Sequence, residues 1–469
     1  MVEIIIDNLI PINIGLLGHI DHGKTAIARV LSEIISTAGL DKHKQAQERG
    51  ISIDIGITSF ILDNKYLITL VDAPGHADLI RSVVAASNII DGAIVVIAAD
   101  EGPKIQTGEH LLILESFNIN NILIALNKID LVSNEKLNAR IQEIKSILKD
   151  TKFVNAPIIP VSAKTNEGFD KLKDALLEII KIPNRNKEGP FKMPIDHAFQ
   201  IKGAGTVITG TIHRGTVNIG DEIEIMPLKI IRKVKSIQIF RQNRSKAVAG
   251  QRVGISLIKL PPDQIYRGYY ACKPGSLTIA DKIIIKGKIN KLFTKGIKPK
   301  HQVHLTIGMP TVSGTIFPFL KQEELKVIRE FVPSGSEFYA YVQLNEKISI
   351  EENMPVLISR LDIDPTKLRI VANGIVKEIL TAPPEIYKYK IKEGIVKNID
   401  RKEGVVVEGF SNNIIGAKTY IGYNVVTENG ITGKVIDTFG SKGSLLVKFD
   451  EKINIGSKVY MRKLRRYVI

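Results

Sequence analysis

The chain holds one cysteine, Cys272, in 469 residues. A lone thiol closes no internal disulfide and builds no Cys-quartet zinc site, so a disulfide scaffold and a zinc-finger module are both excluded. It sits in the apolar stretch GYYAC and reads as a buried thiol, not a reactive one. Long hydrophobic runs are missing too: none reaches the roughly 18 residues that a membrane-spanning helix needs. The opening MVEIIIDNLIPINIGLL is apolar, yet it carries Glu3 and Asp7 and no Lys or Arg before Lys24. It therefore lacks the basic start of a signal peptide and reads as a first strand. Acidic residues are scarce relative to basic ones, 49 Asp and Glu against 65 Lys and Arg, for a net charge of +16. That excess favours a polyanion, nucleic acid ahead of an anionic membrane. Together these absences imply a cytoplasmic, membrane-free protein, expected as a monomer.

What is present is the composition of a globular chain, 44% hydrophobic and 24% charged, long enough for three or four domains. Up to about residue 182, short β-branched runs (NIGLLG, YLITLVD, GAIVVIAAD, NILIALNKID, PIIPVSAK) alternate with segments of helical periodicity, such as 135–149 and 169–180. Such alternation predicts a doubly wound, mostly parallel sheet covered on both faces. The Pro-bounded polar stretch KIPNRNKEGP reads as a linker. After it come short strands separated by Gly-containing turns, punctuated by TAPPE at 381–385, which predict all-β barrels. The expected architecture is an α/β P-loop GTPase domain (1–182) followed by three all-β barrel domains (190–275, 276–381 and 385–469). The stretch 386–469 carries 16 Lys and Arg against 8 Asp and Glu, half of the net charge, most densely in MRKLRRYVI.

GHIDHGKT, Gly18 to Thr25, fits the P-loop pattern between a predicted strand and a predicted helix. Its backbone around Asp21, His22 and Gly23 can approach phosphates closely, and the helix N-terminus adds a favourable dipole. Lys24 is expected on the β- and γ-phosphates and Thr25 on Mg²⁺. DAPGH (Asp72 to His76), NKID (Asn127 to Asp130) and SAK (Ser162 to Lys164) follow in order, each at the end of a predicted strand, where an open α/β sheet binds ligands. The base is guanine because the Asp130 carboxylate accepts from a ring N–H and an exocyclic amine, a donor pair that adenine lacks. Leaving that carboxylate unpaired costs about 1–3 kcal/mol or more. Asn127 and Lys128 brace the loop and cover the base, with Ala163 offering its N–H to guanine O6.

GHIDHGKT, RGISI (Arg49 to Ile53) and DAPGH together resemble the translational GTPase family. The resemblance implies GTP/GDP and Mg²⁺ as cofactors, a first switch at RGISI with Ser52 as an Mg²⁺ ligand where the family usually has Thr, and Asp72 holding the ion through water. It also implies a γ-phosphate contact from Gly75, His76 as the residue that orients the attacking water, and an apolar gate of Ile20 and Ile51. A gated histidine implies slow unassisted hydrolysis, on the order of 10⁻² s⁻¹ or less.

GAGTVITGTIHRGTVNIGDEIEI and AGQRVGI resemble the second domain of elongation factor Tu, which holds the aminoacylated end of tRNA, and 276–380 resembles the third domain less specifically. PIDHAF puts Asp196 and His197 where that factor has two acids, and Arg252 replaces a neutral Asn. Two cationic groups in that pocket suit an ionised selenol, with Asp196 orienting one of them; Arg252 merely pairing with Asp196 on a barrel surface is the other reading. With the basic fourth domain and RGISIDIG, the chain resembles the selenocysteine-specific elongation factors. That resemblance implies selenocysteinyl-tRNA and the ribosome as partners, with an mRNA element or an RNA-binding adaptor protein as a further one. Arg462, Lys463, Arg465 and Arg466 are the RNA-contact candidates, against a solvated face or tail. Two rivals remain open at this point. The initiation-factor-two γ subunit usually carries a cysteine cluster that is missing here, and a sulfate-adenylyltransferase-type metabolic GTPase has no use for a basic appended domain.

Overall fold

In the computed structural model of the chain, residues 9–32, 34–35, 56–72, 90–201, 205–240, 242–258, 260–364, 367–399 and 403–469 are described. The chain divides into two compact units, Met1–Phe317 with Phe331–Ala382, and Pro318–Glu330 with Pro383–Ile469.

The first unit opens with a sheet of β1 (Ile10–Gly18), β2 (Ile34–Ile35), β3 (Gly56–Leu62), β4 (Tyr66–Asp72), β5 (Gly92–Ala98), β6 (Ile122–Asn127) and β7 (Ile158–Pro160), in the order β2-β3-β4-β1-β5-β6-β7. From β4 to β7 neighbours run parallel, and β2 and β3 add an antiparallel edge. All seven residues of β5 are buried, as expected for a strand covered on both faces. The helices are α1 (Lys24–Leu31), α2 (Ile105–Ser116), α3 (Asn134–Leu148) and α4 (Phe169–Ile179). In α4, Leu172, Ala175 and Leu176 recur at helical spacing and pack with α1 on one side of the sheet. In α3, Ser133 caps the N-terminus by accepting from Lys136 N, while Ile144 and Leu148 bury the opposite sheet face.

The second domain is built from β8 (Lys192–Pro194), β9 (His197–Ile201), β10 (Gly205–Thr211), β11 (Thr216–Asn218), β12 (Glu222–Met226), β13 (Ile230–Ile239), β14 (Gln242–Arg244), β15 (Lys246–Val248), β16 (Arg252–Leu257) and β17 (Tyr270–Cys272). Its main path runs β8-β17-β12-β13-β16-β10-β9. Asp196 N donates to Thr209 O (3.0 Å) and His213 N to Lys192 O (2.9 Å), fastening the start of the path to β10 and closing the barrel. Cys272 is buried in β17, and burial pushes its thiol up to about 11.

The third set comprises β18 (Thr278–Ile289), β19 (His301–Ile307), β20 (Thr311–Gln322), β21 (Leu325–Ile328), β22 (Glu337–Ile350), β23 (Pro355–Ser359) and β24 (Ile370–Leu380). Six of these, in the order β19-β23-β24-β18-β22-β20, close through β19–β20 pairing. A buried ion pair, Glu109 of α2 with Arg369, and a half-buried cluster of Glu351 with Lys192 and Arg214 tie the domains of this unit together.

The second unit holds β25 (Ile386–Asn398), β26 (Val405–Glu408), α5 (Ile414–Lys418), β27 (Asn424–Thr427), β28 (Thr432–Phe439), β29 (Ser444–Phe449) and β30 (Lys458–Tyr467). Its strands run β25-β26-β29-β28-β27-β30 and close through β25–β30, a further barrel. Its core is Val396, Val407, Phe410, Val435, Val447, Val459 and Met461 with their neighbours. The Pro318–Glu330 hairpin, inside the stretch that the sequence assigns to the third domain, clusters with this unit, its strand β21 pairing in parallel with β25. Among the described residues no helix is long and apolar enough to cross a membrane.

Candidate functional site

The loop between β1 and α1 is shaped by positions that a side chain cannot occupy. Gly18 has φ +145° and a Cβ there would lie 2.2 Å from Val96 O; Gly23 has φ +91° and a Cβ there would lie 2.2 Å from Asn127 Nδ2. These are positive values that glycine tolerates and other residues rarely adopt. Asp21, at φ +60°, also takes the left-handed conformation and is exposed at the loop's crest. Lys24 is buried and donates Nζ to His19 O (2.8 Å), so its ammonium is held inside the loop. Burial lowers its pKa to about 8, against the pull of Asp72 and Asp21. His22 turns its ring into the core, against Val96 O (3.2 Å), and burial brings it down to about 4. Only its backbone is left for a phosphate. Ile20 is half-buried beside them.

Thr25 Oγ1 donates to Asp72 Oδ2 (2.7 Å), which sets two hard oxygen donors side by side at the start of α1 and the end of β4. Such a pair fits Mg²⁺, which takes oxygen ligands and keeps several waters. Ser52, Ile51, Gly75 and His76 lie outside the described residues.

NKID and SAK converge on the same rim. Asn127 Nδ2 donates to His22 O (2.9 Å) and its Oδ1 accepts from Ala163 N (3.1 Å), so one side chain ties the P-loop to the SAK loop. Ser162 Oγ donates to Asp130 Oδ1 (2.7 Å), orienting the carboxylate while it stays exposed at the surface. Lys128, at φ +64°, reaches Asp100 (3.7 Å) and Glu101 (3.8 Å), two acids that belong to none of the sequence motifs. Lys164 is exposed. Ala163 N–H, read from sequence as the donor to guanine O6, already serves Asn127.

In the second domain Asp196 and Arg252 are both buried, 5% and 6% exposed, and Arg252 grips the carboxylate with two nitrogens, Nη1 on Oδ2 and Nη2 on Oδ1. His197 Nδ1 lies 3.0 Å from Oδ1, and Thr209 Oγ1 donates to the same oxygen at 2.5 Å. Burial works against the Asp196 charge, yet the Arg252 guanidinium and His197 hold its pKa well below the usual carboxylate range. The three sequence candidates are thus one cluster, and Thr209, which no motif indicated, completes it. The pairing of Arg252 with Asp196 that the plainer reading expects is present, buried in the barrel wall and not on its surface.

The C-terminal candidates do not form one patch. Strand alternation puts Arg462 and Arg466 on one face of β30, with Lys463 and Arg465 on the other.

Three comparisons bear on this geometry. Residues 10–182 match the elongation factor Tu GTP-binding domain, 205–272 match elongation factor Tu domain 2, and 277–380 match domain III of the archaeal selenocysteine-specific elongation factor. A selenocysteine-specific elongation factor of Methanocaldococcus jannaschii is 43% identical over 97% of this chain and 98% of its own length. The Mus musculus protein of the same name is 31% identical over 96% of this chain and 90% of its own. The crystal structure of translation elongation factor SelB from Methanococcus maripaludis, in complex with the GTP analogue GppNHp, superposes with a TM-score of 0.83 at 42% identity. It covers 98% of this chain and all of that one. With a GTPase site of this form and relatives matched along nearly their whole length, the chain belongs to the selenocysteine-specific elongation factors, translation factors that bind and hydrolyse GTP.

Proposed function

We propose that the chain, working as a cytoplasmic monomer, takes selenocysteinyl-tRNA into its second domain and delivers it to the ribosome at recoded UGA codons. GTP hydrolysis is the timing step. The division of labour follows the four stretches 1–182, 190–275, 276–381 and 385–469.

At the nucleotide, Asp130 would accept from guanine, Asn127 would hold the two loops at fixed distance and Ala163 would share its N–H with O6. The backbone of Asp21, His22 and Gly23 would donate to the phosphates beside the Lys24 ammonium. Thr25 and Asp72 would hold Mg²⁺, joined by Ser52, and the ion when bound neutralises charge on the β- and γ-phosphates. His76 would orient the attacking water once Ile20 and Ile51 part, with Gly75 on the γ-phosphate.

The observation that supports selenocysteine is the charge balance of the buried cluster. One carboxylate, Asp196, faces both Arg252 and His197. With His197 protonated, two cations stand beside one carboxylate, a balance that suits a further anion. A selenol ionised at neutral pH supplies that anion and a serine hydroxyl does not. Charge-assisted contacts in a desolvated site separate two such esters by a few kcal/mol, roughly a hundredfold or more.

The test loads one tRNA with selenocysteine or with serine and follows ester hydrolysis with the GTP-bound protein present. Protection of the selenocysteinyl form alone, lost in Arg252→Lys, is expected, because lysine keeps the charge but not the fork. Equal protection of both esters leaves a tRNA carrier without this pocket. Protection of neither removes the tRNA reading altogether.

A further inference from the structure

The charge of the C-terminal barrel is arranged in a way that its own folding does not call for. On the ribbon formed by β25 and β30, Lys390 lies directly opposite Lys463 and Lys388 opposite Arg465, with Lys392 next on the same face, opposite Met461. Deeper in the barrel this face points inward and buries Val459, Met461 and Val396. Farther along the ribbon Lys388, Lys390 and Arg465 on this face are exposed, before Ile386 at its end is buried again. Like charges set directly opposite weaken an antiparallel pair. Lys388 has one relief, Glu330 at 2.7 Å. Lys392 and Lys463 lie 4.9 and 5.0 Å from the centre of the Tyr420 ring. Lys390 and Arg465 have no ion-pair partner among the described residues. The other face of the ribbon is different in kind, with Tyr387, Tyr389, Ile391 and Leu464 interleaved with Arg462 and Arg466.

We infer that the Lys388, Lys390, Lys463 and Arg465 face is a docking strip for the sugar-phosphate backbone of a structured RNA. The inference rests on the reading of the chain as an RNA-handling translation factor and narrows its RNA contact to one side of one ribbon. Backbone is favoured over bases because Tyr420, the ring among these cations, is 5% exposed and lies beneath two lysines, while the other ring on this face, Tyr467, stands at the end of the ribbon opposite Ile386. RNA is favoured over an acidic protein because the strip has no aromatic or aliphatic centre of the sort that protein interfaces bury. Tyr387, Tyr389, Ile391 and Leu464 are on the opposite face. Point charges repeated along a strand suit phosphates, whose neutralisation releases counterions.

The measurement is binding of the intact protein to a fluorescent RNA duplex of about 20 base pairs without an aminoacyl end, at salt from about 50 to 200 mM. Lys390→Thr/Arg465→Thr is compared with Arg462→Thr/Arg466→Thr. The strip pair is expected to lower affinity about tenfold and to flatten the slope of log affinity against log salt by about 1.5, two phosphates' worth, while the second pair changes neither. Equal losses from both faces would show diffuse attraction and overturn the strip. No binding of the duplex by the unaltered protein, or binding with an unaltered slope in the strip variant, would also overturn it. A polyglutamate of matched charge that binds as tightly, with the same residue dependence, would replace RNA by an acidic protein. Thermal melting guards the interpretation: relieving like-charge pairs leaves the barrel at least as stable, so a fall in binding without a fall in melting temperature is not unfolding. Because the duplex carries no aminoacyl ester, failure here leaves the selenocysteine pocket untouched, and failure of ester protection leaves the strip.

Discussion

The two compact units treat charge in opposite ways. In the first, buried charges come with partners: Asp196 with Arg252, Glu109 with Arg369, Lys24 with His19 O and Glu224 with Gly275 N. In the second, the described residues include no buried charged side chain, and cations face each other across a ladder in solvent. Burial forces a partner on a charge, because an unpaired ion in the interior costs several kcal/mol. Exposure leaves a charge free for an outside partner. The contrast extends to titration, since all nine histidines lie between residues 19 and 304, within the first unit.

The sharpest way to break the comparison uses two glycines with nearly the same backbone angle. Gly23 and Gly430 sit at φ +91° and +88°, but a Cβ on Gly23 meets Asn127 while one on Gly430 meets nothing within 4 Å. Gly23→Ala should displace Asn127 from His22 O and lower GTP affinity on the order of a thousandfold, about 4 kcal/mol. Gly430→Ala should leave GTP binding unchanged and cost the second unit about 1–2 kcal/mol of strain. Equal, small effects on nucleotide binding would mean that the P-loop does not need this approach. Next in size is Arg252→Ala, which strands the Asp196 carboxylate and should destabilise the first unit by about 3–5 kcal/mol. Arg465→Ala should stay within about 0.5 kcal/mol. Calorimetry that found similar shifts for both would remove the distinction between buried and exposed charge.

Among the described residues the geometry of the candidate nucleotide site was largely legible in sequence, because its constraints are local. Gly18 and Gly23 are required by φ, Lys24 and Thr25 follow at fixed spacing, and Asn127 and Asp130 stand at the end of one strand. The Asp196, His197 and Arg252 cluster was legible through resemblance alone, and Thr209 was missed because its hydroxyl matters only once β10 lies beside the segment at 192–196. Glu109 and Arg369 could not be read at all, since 260 residues separate them and nothing in either neighbourhood announces the other. The C-terminal run is a different case. MRKLRRYVI looks like one patch, but strand periodicity splits it between two faces, and the partners of Lys463 and Arg465 come from a distant strand.

Acid should separate the units next. Burial lowers His22 to about 4, and His110 and His213 to about 3, below their ordinary value of 6.5. Between those values the unfolded chain binds more protons, so stability of the first unit falls as pH drops below 6.5, at about 2 kcal/mol per ring by pH 5. Asp196, depressed for the opposite reason, withdraws its stabilisation only as pH falls below 3.8, a separate window. His110→Leu should flatten the dependence between pH 6.5 and 5. The second unit, with no histidine, should be insensitive over that range. Loss of both units in parallel would show that acid lability is not set by these rings.

The smallest effect bears on what the exposed ladder is for. Lys390→Thr removes one member of a like-charge pair and puts a β-branched residue in a strand, so the second unit should gain a few tenths of a kcal/mol, up to about 1. A measured gain, seen as a raised denaturation midpoint with an unchanged slope, means that the ladder is kept at some cost to the barrel's own stability, which a binding partner explains. A measured loss means that the aliphatic stems of Lys390 and Lys463 cover apolar surface at the end of the ribbon. The charges would then be incidental to packing, and the case for a phosphate strip would lose its physical basis.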